Sequence, residues 1–507
     1  MSRTQRAADN SILNLLAWVW PLALNLLFTR YALQSLGPQL YGAWVVLLAN
    51  LGFCAFLDLG LPVASVKYLS EMVARRQMDY AGRVLGAALF VYVIVGVVGV
   101  GLVSLLTPLV LSGAKGLPPA LIGPTRLTLF LLAASLWVNI LSTLLASVPL
   151  ALQLYSINTR IVLLSNSATT LAMIAALKSG HSIVMLGALT LAGSLVGLAL
   201  YVHSVHQLVP GLRWRPKADG EYLRKLFGFG LFTSLNGVSS GLFNNLDRVL
   251  ITRRFGLPAA ALYGPSAQLA NRVQGVASSL TNVVFPMTSE MSVSGDLESL
   301  NRLYLRAVRL TAAVCTALVV PLATLSGIVL TLWLGAAFAQ KTAGVLAVLM
   351  CSFYLASYTA VPFHVYNGLG KPHINTLFSF CVAGVNAALC VVLIPRYGLL
   401  GGAVASLGSM GAVPFYNVYL ETKLLKVSPL RTLKRAYFPV WIVGAAQALI
   451  LHLVSRHWHP GGLKGLALIV GGGLLFPVLY VALGVAPKED RDLVSLYAHR
   501  LTRRISG

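Results

Sequence analysis

GPQLYGAWVVLLAN at residues 37–50 and GLPAAALYGPSAQLAN at 256–271 are one pattern written twice: a Gly/Pro break, then Tyr-Gly, then Leu-Ala-Asn. Each copy follows a long apolar run and leads into another, so both sit at the same kind of junction between two hydrophobic segments. Counting apolar runs outward, the second copy falls six segments after the first, and six is even. The repeat therefore recurs in the same orientation. Parallel six-helix repeats about an axis along the membrane normal are a transporter architecture, with the substrate site between the halves.

Composition agrees with a chain made of such segments. Of 507 residues, 57% are hydrophobic and 10% charged, against about 25% charged in soluble domains. This excludes a water-soluble enzyme, and the low-hydrophobicity signature of disorder is absent. A spanning helix needs about 20 apolar residues, so there is room for a dozen or more spans and little else. Charge clusters and Gly/Pro/Asn breaks delimit about 14, at roughly 12–34, 41–64, 84–112, 126–150, 161–178, 182–206, 227–251, 258–288, 307–332, 344–368, 373–394, 398–422, 437–455 and 463–485. The expected fold class is an all-α polytopic membrane protein with two pseudo-symmetric six-helix lobes around a central cavity. The lobes run over 1–206 and 227–424, joined by a basic cytoplasmic linker, 207–226. Two extra helices occupy 425–485, and 486–507 is an amphipathic tail on the cytoplasmic interface.

An even number of spans puts both termini on one side. Lys and Arg total 38 against 14 Asp and Glu, a formal charge of +24. About 26 of the bases fall on the side of the termini and about 10 on the other, with Arg248 and Arg272 inside spans, so the positive-inside rule makes both termini cytoplasmic. The net charge is thus a topology signal and a contact for anionic membrane lipids; no nucleic-acid partner is expected. The N-terminus lacks a short apolar stretch with a small-residue cleavage site and reads as an uncleaved first helix. All five cysteines, Cys54, Cys315, Cys351, Cys381 and Cys390, lie in apolar runs. Neither a disulfide framework nor a metal site is expected.

Further motifs carry a likeness. Asp58-Leu59-Gly60-Leu61 running into Lys67-Tyr68-Leu69-Ser70-Glu71 resembles the end of the second helix in the polysaccharide transporter family. These are the O-antigen-type flippases of the multidrug/oligosaccharidyl-lipid/polysaccharide exporter superfamily. Asp247-Arg248 before Gly256 and Tyr263, Asn367 to Pro372, and Tyr397 to Ala403 are similar to that family's second half. The resemblance implies a V-shaped pair of lobes that moves lipid-linked sugars across the bacterial plasma membrane. It also suggests glycosyltransferases and a polysaccharide polymerase as candidate partners.

Arg272 is the most informative single residue. It lies near mid-span, where an Arg costs at least ~2.5–3.5 kcal/mol. On a helical wheel Gln268, Asn271, Arg272, Gly275, Ser279 and Asn282 share one arc. Thr233, Asn236, Ser240, Asn244, Asp247 and Arg248 form a similar stripe on the preceding span. A cation lining a water-filled cavity and an Arg paired between helices are the two readings; for the second stripe the alternative is interhelical hydrogen bonding. Arg30 and Arg248 precede Gly37 and Gly256 by seven and eight residues, so the repeat relates them, and guanidinium grips phosphate oxygens bidentately. Arg30 has snorkelling to the interface as its alternative. The substrate-binding candidates are therefore Arg272, Arg248, Arg30, Asn271, Gln268, Asn244 and Asn236.

Apart from Glu421 at the edge of the twelfth span, Asp58 and Asp247 are the carboxylates within spans. They are the candidates for a coupling H+ or Na+, against a structural role in an ion pair or at a helix end. Asp247, near the outer mouth, is preferred for coupling, and its partner must come from another helix, because Arg248 points elsewhere. No cofactor, metal ion or catalytic residue is expected: His203, His206, His452, His457 and His459 lack acidic or thiol neighbours, and 368–371 lacks P-loop spacing.

The expected function is a flippase for undecaprenyl-diphosphate-linked oligosaccharide, working by alternating access in surface polysaccharide (O-antigen or exopolysaccharide) biosynthesis. The alternatives are an ion-coupled drug or metabolite exporter of the same superfamily, in whose cavity acids should dominate, and a polysaccharide polymerase, which should carry a substantial outer loop. Topology is directly testable. Cysteines introduced at Ser112 and His459 should react with an impermeant reagent from outside and one at Lys217 should not; the reverse labelling would overturn the orientation.

Overall fold

The computed structural model describes residues 3–74, 78–112, 117–210, 212, 215–458 and 462–484. The tail 486–507 and the outer-loop residue His459 lie outside them. Helices α1 to α8 are Arg3–Phe53, Leu61–Ala74, Met78–Ser112, Pro119–Ala151, Tyr155–Lys178, Ile183–Leu208, Gly220–Phe255 and Leu257–Thr281. Then come α9 to α18: Val284–Ser294, Leu297–Thr324, Ser326–Leu334, Ala336–Ser357, Ala360–Gly368, Pro372–Ser409, Val413–Tyr419, Pro429–Thr432, Phe438–Trp458 and Gly462–Ala482. No strand occurs among the described residues. In hydrocarbon, a helix is the one open-ended element that satisfies its own backbone.

Ten helical stretches are long and apolar enough to cross a membrane. Two of them contain a break that divides them: Gly37 (φ 70°, ψ 174°) in α1 and Gly398 (φ 60°, ψ −134°) in α14. Helices α7 and α8 have spanning length, but their polar stripes keep them below the apolar threshold. Counting the halves and these two helices gives the fourteen spans expected from sequence. The fold is that of an all-α polytopic membrane protein. One expectation needs correction in detail: the second span does not run unbroken through residue 64. Its helix ends at Phe53, a 3-10 turn covers Cys54–Asp58, and Leu59 (φ 50°) and Gly60 (φ 63°) break the helix before α2.

The repeat read from sequence is a repeat of backbone. Gly37 and Gly256 share one conformation, φ 70°, ψ 174° and φ 83°, ψ 176°, a region in which a side chain is strained. The Tyr-Gly glycines pack each copy against the other. A Cβ on Gly42 would stand 2.0 Å from the Leu257 carbonyl oxygen, and one on Gly264 would stand 2.8 Å from Val45 Cγ1. Deeper along the same crossing a Cβ on Gly52 would lie 2.4 Å from Asn245 Nδ2, and one on Gly241 2.9 Å from the Gly52 carbonyl. Absent side chains thus bring α1 and α7 to backbone contact, the standard means of close helix approach in a bilayer.

The chain divides into two compact units, 1–264 and 265–507. In the first, one core gathers Phe28, Tyr41, Trp44, Leu129, Leu132, Ile183 and Leu257, and a second gathers Leu61, Leu85, Tyr92, Leu144, Tyr201 and Leu226. The linker entering α7 is strapped across α3. Lys217 N donates to the Gly86 carbonyl (3.2 Å), and Arg83 pairs with Asp219 at 2.7 Å. The hydrogen bond from Arg83 holds the Asp219 carboxyl below its ordinary range. A depressed carboxyl stabilises from neutral pH downward until the pH falls through its folded-state value, so this clasp is complete at neutral pH and lost in acid.

Gly42→Ala should lower the thermal unfolding midpoint in detergent, at an overpacking cost of about 1–3 kcal/mol. Gly101→Ala, where a Cβ meets nothing within 4 Å, should be neutral or slightly stabilising. Equal midpoints for the two variants would show that α1 and the start of α8 do not touch at Gly42.

Candidate functional site

Near its C-terminal end α7 carries Asn244, Asn245, Asp247 and Arg248, and eight residues after Arg248 the chain breaks at Gly256. The break lets α8 fold back so that Tyr263 reaches Asp247. Its hydroxyl donates to Asp247 Oδ2 (2.6 Å), while the Arg248 backbone N–H donates to Oδ1 (2.7 Å). Asp247 is buried, 4% exposed. The partner from another helix is thus a tyrosine of the repeated Tyr-Gly pair. The first copy repeats the device with a neutral group: Tyr41 hydrogen-bonds Thr29, both buried, and Arg248 lies within electrostatic reach of that tyrosine. Arg248 Nε is buried and has no acceptor among the described residues. Two tyrosines, a threonine, an acid and an arginine so meet where α1, α7 and the start of α8 come together.

Asp58 ends the 3-10 turn. Tyr92 of α3 donates to its carbonyl (2.7 Å) and approaches Oδ1 (3.0 Å), and Trp137 of α4 donates to the Tyr92 carbonyl (2.9 Å). This chain of bonds pins the helix break at Leu59-Gly60. The third intramembrane acid, Glu421, is 3% exposed and receives the Tyr304 hydroxyl at 2.8 Å. All three acids within the spans meet a tyrosine hydroxyl, and none forms an ion pair among the described residues.

The cationic candidates are placed differently. Arg30 and Arg272 are exposed, and neither has a hydrogen bond or ion pair to a described residue. Arg272 stands well inside α8 on the face of Gln268 and Gly275, both half-buried, with Ser279 one further turn along. Asn271 is half-buried beside it. Asn244 Nδ2 donates to the Ser240 carbonyl of its own helix (2.9 Å), and Asn236 Oδ1 is buried without a partner. The Thr233 side chain lies outside the described residues. The structure brings together Asp247, Arg248 and Tyr263; no contact joins Arg30 to Arg248. Sequence reading missed Tyr92, Tyr304 and Thr29. Their separations from the groups they serve are 34, 117 and 12 residues, and no helical or hairpin spacing marks them.

Comparison with known proteins agrees with this geometry. A family model described as "Polysaccharide biosynthesis protein" matches residues 129–343. A Shigella flexneri protein named "Putative O-antigen transporter" is 22% identical over 408 residues, 78% of this chain and 93% of that protein. The solved lipid II flippase MurJ in an inward closed conformation superposes with TM-score 0.73 at 14% identity, covering 96% of this chain and 99% of that one. The chain is similar to polysaccharide biosynthesis and O-antigen transport proteins. An inward-facing multidrug resistance MATE transporter of the MOP superfamily also shares the fold, with TM-score 0.67 at 15% identity over 80% of this chain and 95% of that one. The chain is a multi-pass membrane protein.

Tyr263→Phe in this chain removes one of the two donors to a buried carboxylate, a loss of about 1–3 kcal/mol. The detergent-solubilised variant should unfold at a lower temperature, and adding Asp247→Asn should recover part of the loss, because no charge is left to satisfy. A Tyr263→Phe variant as stable as the parent would show that hydroxyl to be idle.

Proposed function

We propose that this protein flips undecaprenyl-diphosphate-linked oligosaccharide from the cytoplasmic to the outer leaflet of the bacterial plasma membrane by alternating access, supplying surface polysaccharide synthesis. The observation that carries the reading is Arg272: exposed, unpaired among the described residues, and well inside a spanning helix on its polar face. An arginine is not left bare against lipid tails, so that face borders water. A permanent cation in a water-filled cavity selects an anion, and the diphosphate is the anionic part of such a substrate. The names of the Shigella relative and of the lipid II flippase support the same substrate class.

On this reading Arg272 holds the diphosphate through its planar fork, Arg248 and Arg30 add positive potential near the outer ends of their helices, and Asn236, Asn244, Gln268 and Asn271 meet glycan hydroxyls. The polyprenyl chain stays in lipid. Both termini are cytoplasmic, and glycosyltransferases and a polymerase act before and after the flip. Asp247 is the coupling group for H+ or Na+; since it is buried behind Tyr263, the ion reaches it when α7 and α8 part. The likeness to the MATE transporter favours one other reading, export of a drug or metabolite, and an anion-selecting Arg272 makes a cationic drug a poor ligand.

The test is flipping of a short-chain lipid-linked oligosaccharide in proteoliposomes. Arg272→Ala should abolish it, and Arg272→Lys should keep a part, because lysine is a point charge without the fork. Both should still insert, since removing an intramembrane charge does not hinder insertion. Asp247→Asn should bind substrate but lose acceleration by an imposed ion gradient. Full flipping by Arg272→Ala would overturn the diphosphate assignment, and transport of a cationic dye in place of the lipid would favour the exporter.

A further inference from the structure

The turn between the twelfth and thirteenth spans points its bases outward and its one acid inward. Lys423, Lys426, Arg431, Lys434 and Arg435 are all exposed, whereas Glu421 is 3% exposed. An acid kept for a structural ion pair would have taken one of these five. The ion pairs among the described residues are Arg83–Asp219, Lys225–Glu221 and Arg302–Glu298, and Glu421 is in none.

The groups that do face Glu421 come from every element around it, and all are hydroxyls. Tyr304 of α10 donates to Oε1 at 2.8 Å, Tyr366 of α13 and Tyr437 before α17 lie within electrostatic reach, and Thr432 of α16 lies beside the carboxyl. Tyr304 and Tyr366 are fully buried, and Thr432 is 1% exposed. The Thr432 hydroxyl thus faces the carboxyl within hydrogen-bonding reach, though without well-formed geometry. The backbone is built for the site. Residues Leu420–Leu425 and Leu433–Tyr437 are both π-helical, a conformation concentrated at functional sites, and the Val427 amide closes the turn on the Glu421 carbonyl at 2.8 Å.

We propose that Glu421 is a proton-binding site, separate from Asp247, whose bound proton is shared with Thr432 Oγ1. A carboxylate buried with no cation beside it carries a large desolvation cost, and a proton removes it. The neutral acid also fits its neighbours: the Tyr304 hydroxyl donates to Oε1, and the acid's own O–H on Oε2 supplies the donor that Thr432 Oγ1 lacks. When the proton leaves, a bare charge stands among aromatic rings, and the nearest bases are outside. The turn must then open to water or to Lys423 and Lys426, which loosens α16 and α17 from α10. Proton occupancy is thereby tied to the packing of the last helices. That this movement serves transport rests on the flippase reading above; the proton site itself does not.

Infrared difference spectroscopy on the purified full-length protein in nanodiscs separates the two. At neutral pH the parent should show the carbonyl band of a protonated carboxylic acid that is missing from Glu421→Gln, and Thr432→Val should shift that band without abolishing it. Identical spectra for the parent and Glu421→Gln would overturn the site. In proteoliposomes Glu421→Gln, which mimics the neutral acid, should lose the stimulation that a pH gradient gives the parent. A missing band together with an unchanged gradient response would overturn the link to transport. A parent that flips no lipid-linked oligosaccharide would refute the functional reading and leave the spectroscopic result standing. Tyr304→Phe, which removes a hydroxyl and no acid, should keep the band at a changed frequency, guarding against a Glu421→Gln variant that fails to fold.

Discussion

Ionised groups inside a hydrocarbon slab need a partner or water, and this constraint orders the rest of the molecule. The three acids within the spans are each buried or half-buried, and each is met by a tyrosine hydroxyl from a neighbouring helix: Asp58 by Tyr92, Asp247 by Tyr263 and Glu421 by Tyr304. A hydroxyl satisfies a carboxyl oxygen whether or not the acid is charged, whereas an arginine or lysine would fix it in the charged form. Tyrosine partners therefore leave the protonation of each acid free to change. A structure made only for rigidity would have used the abundant bases, 38 of them in this chain.

The other dependence is on glycine. Gly37 and Gly256 hold a backbone conformation that turns one spanning helix into the next, the glycines of the two Tyr-Gly pairs remove the side chains that would keep α1 and α8 apart, and Gly52 and Gly241 do the same for α1 and α7. The two features act together at Asp247. The Gly256 break aims Tyr263 back at the acid, and the contact of Gly42 with Leu257 fixes where that break lies. Close packing and charge satisfaction at this crossing are one arrangement, so a change in either disturbs both.

Much of this was legible in the sequence because it is periodic or local. Apolar runs gave the spans, and the Gly-Pro and Tyr-Gly pattern gave the repeat that the backbone angles of Gly37 and Gly256 reproduce. The polar stripes of α7 and α8 were visible for the same reason, and they are why those two helices fall short of ordinary spanning hydropathy. What the sequence withheld is long-range. Nothing near Asp58 names Tyr92, and nothing near Glu421 names Tyr304, because helix-to-helix pairing in a bundle is set by the crossing geometry and leaves no spacing rule in the chain. The break at Leu59-Gly60 was hidden for another reason: a helix break inside an apolar run looks like continuous span until the backbone is known. Glu421 read as the edge of its helix because five exposed bases surround it in sequence.

The contrast between the acids and the arginines bears on the sign of the ligand. Acids are folded inward behind hydroxyls, where taking up a proton would remove their charge. Arg272 and Arg30 are exposed and always charged, and Arg248 is half-buried with its Nε unpaired among the described residues. Where Arg272 and Arg30 border water, the potential is positive. A cationic substrate would meet only repulsion there, and a neutral glycan would gain hydrogen bonds to the asparagines but nothing from the charge. A diphosphate draws on both sets of residues at once, and its release needs no change in the arginines themselves. It needs a change in the packing around them. On the proposed reading, the buried acids where α7 meets α1 and α8 and where α10 meets the last helices would set that packing by taking up and releasing a proton.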